Sequence, residues 1–294
     1  MRYVVGYIPN RCGEDATNLA VSLARARQAQ LDIVVVLPAQ KVSYDMYSPD
    51  QAFHSHLESQ GREWLDEALK NVPKDIKTTG RIRHAESIAE GLIEDATDPD
   101  AGDEAAAIVV GASHRGLRGR ITVGSIADGL LHASPVPVAL APSGYASQDA
   151  ITRITCATGT RQGADALLDA AIEGVAARRI PLRLMSLVAL GKDNLSVEHG
   201  QAVVDSAQRH AETLAQKARQ SLPEDIDVTS VVGRGGSTQE AVQSLDFSSS
   251  EFVLVGSSRL AHSKRLFLGS SANKMLRALP VPMVVVPRDY KGMT

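Results

Sequence analysis

The chain has 294 residues, 44% of them hydrophobic, 22% charged and 4% aromatic, with a net charge of −3. This composition excludes a disordered chain, and the balanced charge argues against a general nucleic-acid binder, which would show a basic stripe. No apolar run approaches the ~20 residues that cross a bilayer. Cys12 and Cys156 are the only cysteines, too few for a disulfide scaffold or a cysteine-based zinc site. The opening MRYVVGYIPNRCGED has an apolar stretch too short for a secretory leader. The expectation is a soluble, cytoplasmic protein of two domains, with few aromatics and aliphatic α/β layers.

Read in chain order, the elements occur twice. Residues 3–10 (YVVGYIPN) and 151–159 (ITRITCATG) read as short buried strands. Each leads into a Gly-x-Asp-Ala start and an apolar-periodic helix. Apolar runs follow at 31–39 (LDIVVVLPA) and 182–190 (LRLMSLVAL). Long amphipathic helices come next, with Phe53, Leu57, Trp64, Leu65, Ala68, Leu69 and Val72 on one stripe. Val203, Ala207, Ala211, Leu214, Ala218 and Leu222 form the other. Third strands are expected at KTTGRIRHA and DVTSVVGRG, then short helices from Ser87 and Ser237, where Ser237-x-x-Glu240 has capping-box spacing. Fourth strands end at Gly111 and Gly256, and fifth strands lie in VPVALAP and VPMVVVP.

The last part of each half is the most alike. Residues 106–142 match 251–287 at a constant offset of 145, pairing Gly111 with Gly256, Gly124-Ser125 with Gly269-Ser270, and Pro135-Val136-Pro137 with Pro280-Val281-Pro282. Strands apolar on both faces and alternating with helices imply a parallel sheet covered on both sides. The expected fold is therefore α/β: two doubly wound, Rossmann-like parallel sheets of five strands each, in tandem. The domains are expected at 1–145 and 150–290, joined by the polar segment SGYASQDA (143–150). The halves differ in charge: residues 1–147 carry 14 basic and 19 acidic side chains, and residues 148–294 carry 17 and 15.

Ligands of such sheets sit at the carboxyl ends of the strands, near the switch point of strand order. The richest feature there is the loop after strand four, GASHRGLRGRITVGS in the first half and GSSRLAHSKRLFLGS in the second. Its opening glycine lets backbone come close to a ligand, and its closing Gly-Ser stands where the next helix begins. Free N–H groups there suit an anion. Arg115, Arg118 and Arg120, or Lys264 and Arg265, lie between. The competing account is a solvated basic loop.

Two copies of this strand, glycine loop, Gly-Ser, helix and Pro-Val-Pro strand resemble the universal stress protein family, as a tandem member spanning the chain. The family loop pattern is Gly, two residues, Gly, nine residues, then Gly followed by Ser or Thr. The resemblance implies an α/β fold of the adenine-nucleotide α-hydrolase type, a stress-survival or signalling role, and adenine-nucleotide binding in some members. It also implies pairing through the fifth strands, which a tandem chain can achieve internally with pseudo-two-fold symmetry. Proline limits where such strands can pair, and an exposed edge invites a partner edge, so homodimers are open too.

Two departures bear on the ligand. The second glycine of the pattern is His114 in the first half and Arg259 in the second. At the end of strand one, where nucleotide-binding members have an Asp, stand Tyr7 or Ile8, and Ala157 or Thr158. The candidate binding set is Gly111, His114, Gly124, Ser125, Gly256, Arg259, Gly269 and Ser270. The expectation is a stress-response protein acting through a small ligand or a protein partner, with a degenerate nucleotide site. The ligand is unknown, with ATP or another adenine nucleotide open. The alternative is ATP binding with slow hydrolysis at one retained loop. No general base or metal-binding carboxylate is assignable to either loop, so no catalytic residue is named.

The remaining motifs are weaker. Gly233, Gly235 and Gly236 fail as a dinucleotide fingerprint because the third glycine position is Thr238. His54 and His56 stand two apart on a helix and are poorly placed to share a metal. Cys12 is expected in the loop after strand one, and Cys156 as a small core residue.

Overall fold

A computed structural model describes residues 1–39, 50–112, 121–158, 164–191, 197–258, 266–288 and 290. The first half runs β1 (Arg2–Gly6), α1 (Arg11–Arg25), β2 (Gln30–Pro38), α2 (Asp50–Asn71), β3 (Thr78–Ala85), α3 (Ile88–Thr97), β4 (Ala107–Gly111), α4 (Ser125–Ala133) and β5 (Val138–Ala141). The second half repeats the order as β6 (Arg153–Ala157), α5 (Ala164–Ala176), β7 (Leu182–Ala189), α6 (Val197–Ser221), β8 (Val228–Gly235), α7 (Thr238–Gln243), β9 (Glu251–Gly256), α8 (Ser270–Ala278) and β10 (Met283–Val286).

The two five-stranded sheets are fused into one. Strand order is β3-β2-β1-β4-β5-β10-β9-β6-β7-β8, which reads as a half and its mirror-ordered copy. Every neighbouring pair is parallel except β5 with β10. Those two run antiparallel, with Val284 opposite Ala139. The prolines explain the geometry. Pro137 and Pro282 stand just before β5 and β10, where a missing N–H costs no ladder bond, and each uses its carbonyl to accept from Ile108 or Val253. What remains of each edge is satisfied by the other, so the expected internal pairing is present and neither fifth strand faces solvent.

Residues alternate between two apolar layers. One, under α1, α2, α5 and α6, contains Tyr3, Val5, Ala107, Ala139, Ile154, Phe252 and Val284; the other, under α3, α4, α7 and α8, contains Val4, Ile108, Val138, Val253 and Met283. Each layer crosses the seam without a break. Two stripe residues depart from expectation: Phe53 is 58% exposed and Val203 is 41% exposed, with Val204 buried in the latter's place. The 3.6-residue period tolerates such a one-residue rotation when the partner surface is small. Cys12 lies in the first turn of α1 rather than in the preceding loop, and it is buried. Burial pushes the Cys156 thiol up to about 12, which keeps it an inert core thiol.

The segment between the halves is tied down. Asp15 accepts from Gly144 N–H at 2.9 Å, Asn18 donates to the Tyr145 carbonyl, and Gln148 N–H donates to Ser22. Gly144 has a φ of 75°, a backbone state that a side chain would strain. Gln148 Oε1 accepts from Ser250 of the second half at 3.1 Å.

Polar groups are buried at the amino ends of the strands. Asp32 and Asp95 are fully buried in the first half. Arg2 reaches Asp32 at 3.0 Å and Asp95 at 3.5 Å, while Arg81 and Arg83 reach Asp95 at 3.0 and 2.8 Å. Arg81 also pairs with Asp32, and Thr79 and Gln30 donate to the same carboxylate. The second half inverts the signs. Arg183 occupies the register position of Asp32, and it pairs with buried Glu251 of β9. Arg153 pairs with Glu251 as well.

Burial works to raise the Asp32 carboxyl, but the Thr79 and Gln30 hydrogen bonds and the Arg81 and Arg2 guanidinium groups outweigh it and hold it below the usual range. A carboxyl lowered on folding stabilises the native state above its unfolded value of about 3.9, and that stabilisation is lost as pH falls through the folded value. The urea midpoint is therefore expected to drop steeply below about pH 4, and to drop less in Asp32→Asn. Equal acid profiles for both proteins would count against this assignment.

Candidate functional site

In both halves strands one and four are neighbours, so strand order reverses between them and a crevice opens at their carboxyl ends. The structure brings the matching glycines there. Gly111 ends β4 and Gly256 ends β9; Gly124 and Gly269 are the N-caps of α4 and α8, with Ser125 and Ser270 as the first helical residues. His114 and Arg259 lie outside the described residues, as do Arg115, Arg118, Arg120, Lys264 and Arg265.

Helix capping separates these helices from others. α1, α3 and α7 are closed by Asn10, Ser87 and Ser237, whose side chains accept from first-turn N–H groups. α4 and α8 have glycine caps and no side-chain cap bond. Their leading N–H groups thus keep the positive end of the helix dipole available to an anion.

The two copies differ in what occupies the crevice. A β-carbon on Gly111 would lie 2.1 Å from the Cys12 carbonyl oxygen, because the first turn of α1 sits on the end of β4. The chain itself takes the space that a glycine at this position leaves for a ligand. A β-carbon on Gly256 would meet, among the described residues, only the Leu167 side chain at 3.6 Å. Residues 159–163, the counterparts of residues 8–12, lie outside the described residues.

Side-chain chemistry follows the same split. Gly6 aligns with Val34 and Ala157 with Met185, and the next N–H groups, of Tyr7 and Thr158, donate to those residues' carbonyls. Tyr7 and Thr158 are therefore the equivalent residues at the exit of strand one. Tyr7 is buried, and that burial raises its phenol. Thr158 Oγ1 instead lies 3.0 Å from Ser186 Oγ on the neighbouring strand, where the first half has Val35. After Gly256, the Ser257 hydroxyl accepts from Phe267 N–H at 2.8 Å and Ser258 N–H donates to the Phe267 carbonyl. A β-carbon on Gly269 would lie 3.5 Å from Ser258, which sets the α8 terminus against the exit of β9. One turn into α8, Asn273 holds a buried Oδ1 with no hydrogen-bond partner.

Thr158 is one of the two residues the sequence places at the end of strand one, whereas nothing in the sequence reading pointed to Ser186, Ser257 or Asn273. The run Gly-Ser-Ser at 256–258 was the available signal, since paired hydroxyls after a strand-end glycine are polar where the first half has Gly-Ala. The glycines Gly233 and Gly235 serve packing: a β-carbon on either would lie 2.3–2.5 Å from α7.

Against this geometry, the Universal stress protein family model matches residues 1–142 and again residues 150–287. The chain belongs to the universal stress protein family. A universal stress protein of Mycobacterium tuberculosis and one of Mycobacterium bovis are each 28% identical over 303 residues, covering 98% of this chain and all of theirs. The crystal structure of a universal stress protein from Archaeoglobus fulgidus has the same fold, with a TM-score of 0.62, 15% identity, and 98% of both chains covered. A Pseudomonas aeruginosa relative aligns with a TM-score of 0.54 at 14% identity, covering 97% of this chain and 92% of its own. The fold is thus a tandem Rossmann-like universal stress protein. Among the described residues, no helix is long and apolar enough to cross a membrane.

Adenine nucleotides are the ligands the family resemblance implies. In the first half, the Cys12 backbone takes the space beside Gly111. Among the described residues, the second-half crevice leaves room beside Gly256, α8 has no side-chain cap, and Asn273 Oδ1 is without a hydrogen-bond partner, features compatible with such a ligand.

Proposed function

We propose that this universal stress protein is a cytoplasmic stress-response or signalling protein that binds one small phosphate-bearing ligand per chain, at the second-half crevice. An adenine nucleotide is the class of ligand most compatible with the fold. The carrying observation is the contrast, among the described residues, between Gly111, which the Cys12 backbone crowds, and Gly256, which only the Leu167 side chain approaches. In this reading the α8 N–H groups and the Ser270 hydroxyl hold the phosphates, and the hydroxyls of Thr158 and Ser186 line the crevice. The first half acts as the structural partner that completes the sheet.

Calorimetry with ADP and ATP on the full chain tests this. The expected result is one site per chain, with Gly256→Val weakening ADP about tenfold or more by crowding the phosphates. Two equal sites, or no heat from either nucleotide up to ~5 mM, would overturn it. Phosphate release measured in the same samples separates a ligand sensor from a slow ATPase.

A further inference from the structure

Away from both crevices, an apolar cavity of about 50 Å³ opens on the layer under α1 and α5, across the seam between the halves. It exists because the repeat is uneven there. Ala107 and Ala139 stand where the second half has Phe252 and Val284, so small residues face large ones over the β5–β10 junction. Tyr3, Ile154 and Leu254 complete an aliphatic and aromatic wall. The volume exceeds what one water needs.

Cationic groups stand beside this apolar space. Arg178 lines the cavity, with Nη1 donating to the Gly174 carbonyl at 3.0 Å and the guanidinium 5.9 Å from the centre of the Phe252 ring. Among the described residues, its buried Nε has no acceptor, and neither has Nη1 of Arg27. Arg178 Nη2 donates to the Tyr3 phenol at 3.5 Å, and Glu173 also lines the cavity. Burial first, and then the repulsion of Arg27, lowers the Arg178 guanidinium, against the opposing effect of the Tyr3 phenol. Buried donors without acceptors, next to like charge, are costly unless an anion completes them.

We infer that this seam cavity binds a small organic carboxylate, its apolar body against Phe252, Leu254 and Ile154 and its carboxylate on Arg178. The phenols of Tyr3 and Tyr290 line the same space and can add hydrogen bonds. The site is separate from the Gly256 crevice, and it belongs to neither half alone. A ligand there bridges both halves and stabilises their shared sheet.

Calorimetry and thermal unfolding of the full chain with propionate, whose two-carbon body suits a cavity of this size, and with propionamide as its uncharged near-isostere, provide the test. Propionate is expected to bind once per chain and raise the unfolding temperature, with propionamide at least about tenfold weaker. Arg178→Gln should bring propionate down to the propionamide level. Ala107→Leu should fill the cavity and abolish binding with an unchanged circular dichroism spectrum; the larger Phe252 at the equivalent place makes this tolerable. Saturating ADP should leave propionate affinity unchanged. Propionamide binding as well as propionate, full affinity in Arg178→Gln, or no saturable binding up to ~10 mM would each overturn the assignment.

Discussion

Replacing Asp32 with alanine is expected to cost ~3–5 kcal/mol of stability, enough to consume much of the margin of a typical domain. The carboxylate is fully buried and serves Arg2, Arg81, Thr79 and Gln30 together. Its removal leaves the Arg2 guanidinium, itself only 4% exposed, with less of its compensation and no water to replace it. Urea unfolding followed by far-ultraviolet circular dichroism should show a lower midpoint at an unchanged slope. A loss below about 1 kcal/mol would mean that Asp95 and solvent take over the pairing. Because Arg183 holds the matching position in the second half, the same alanine change there probes the network with inverted charge.

The second large effect is an asymmetry between two glycines that the repeat makes equivalent. Gly111→Ala is expected to destabilise the protein by about 3 kcal/mol, the upper part of the range for overpacking. The new β-carbon would lie 2.1 Å from the Cys12 carbonyl oxygen and 2.8 Å from its carbonyl carbon. These are backbone atoms, so the start of α1 must move. Among the described residues Gly256→Ala meets only ordinary contact with Leu167, and it is expected to stay within about 0.5 kcal/mol of the parent. Denaturant midpoints of the two variants decide the matter. Equal losses would show that the first crevice is as open as the second, and would remove the basis for a one-site protein.

The repeat offset of 145, the order of elements and the Gly-Ser helix starts were readable because they rest on local rules. Period-2 and period-3.6 patterns, cap residues and strand-breaking prolines act within a few residues of themselves. Capping is legible at Ser237, where Ser237 Oγ accepts from Glu240 N–H, while the Glu240 carboxylate accepts from Gly236 N–H and from the Ser237 hydroxyl. Sidedness was harder. Phe53 and Val203 fit the helical stripe and still face solvent, since a stripe's edges are fixed by what packs against them.

That this protein is one α/β unit made twice, with each copy bearing a loop framed by glycines at the end of its fourth strand, follows from the order of its residues alone. Composition, repeat and periodicity suffice for that, because each is a property of the chain's own order. How the copies differ is set by packing between distant segments. Whether Gly111 leaves room depends on α1 arriving from a hundred residues away, and whether Asp32 is stable depends on strands β1 and β3 bringing arginines to it. The same holds for the seam cavity, where alanines of one half face Phe252 and Val284 of the other. Such contacts join residues distant in sequence, and their distances and charges are set by packing rather than by any pattern along the chain.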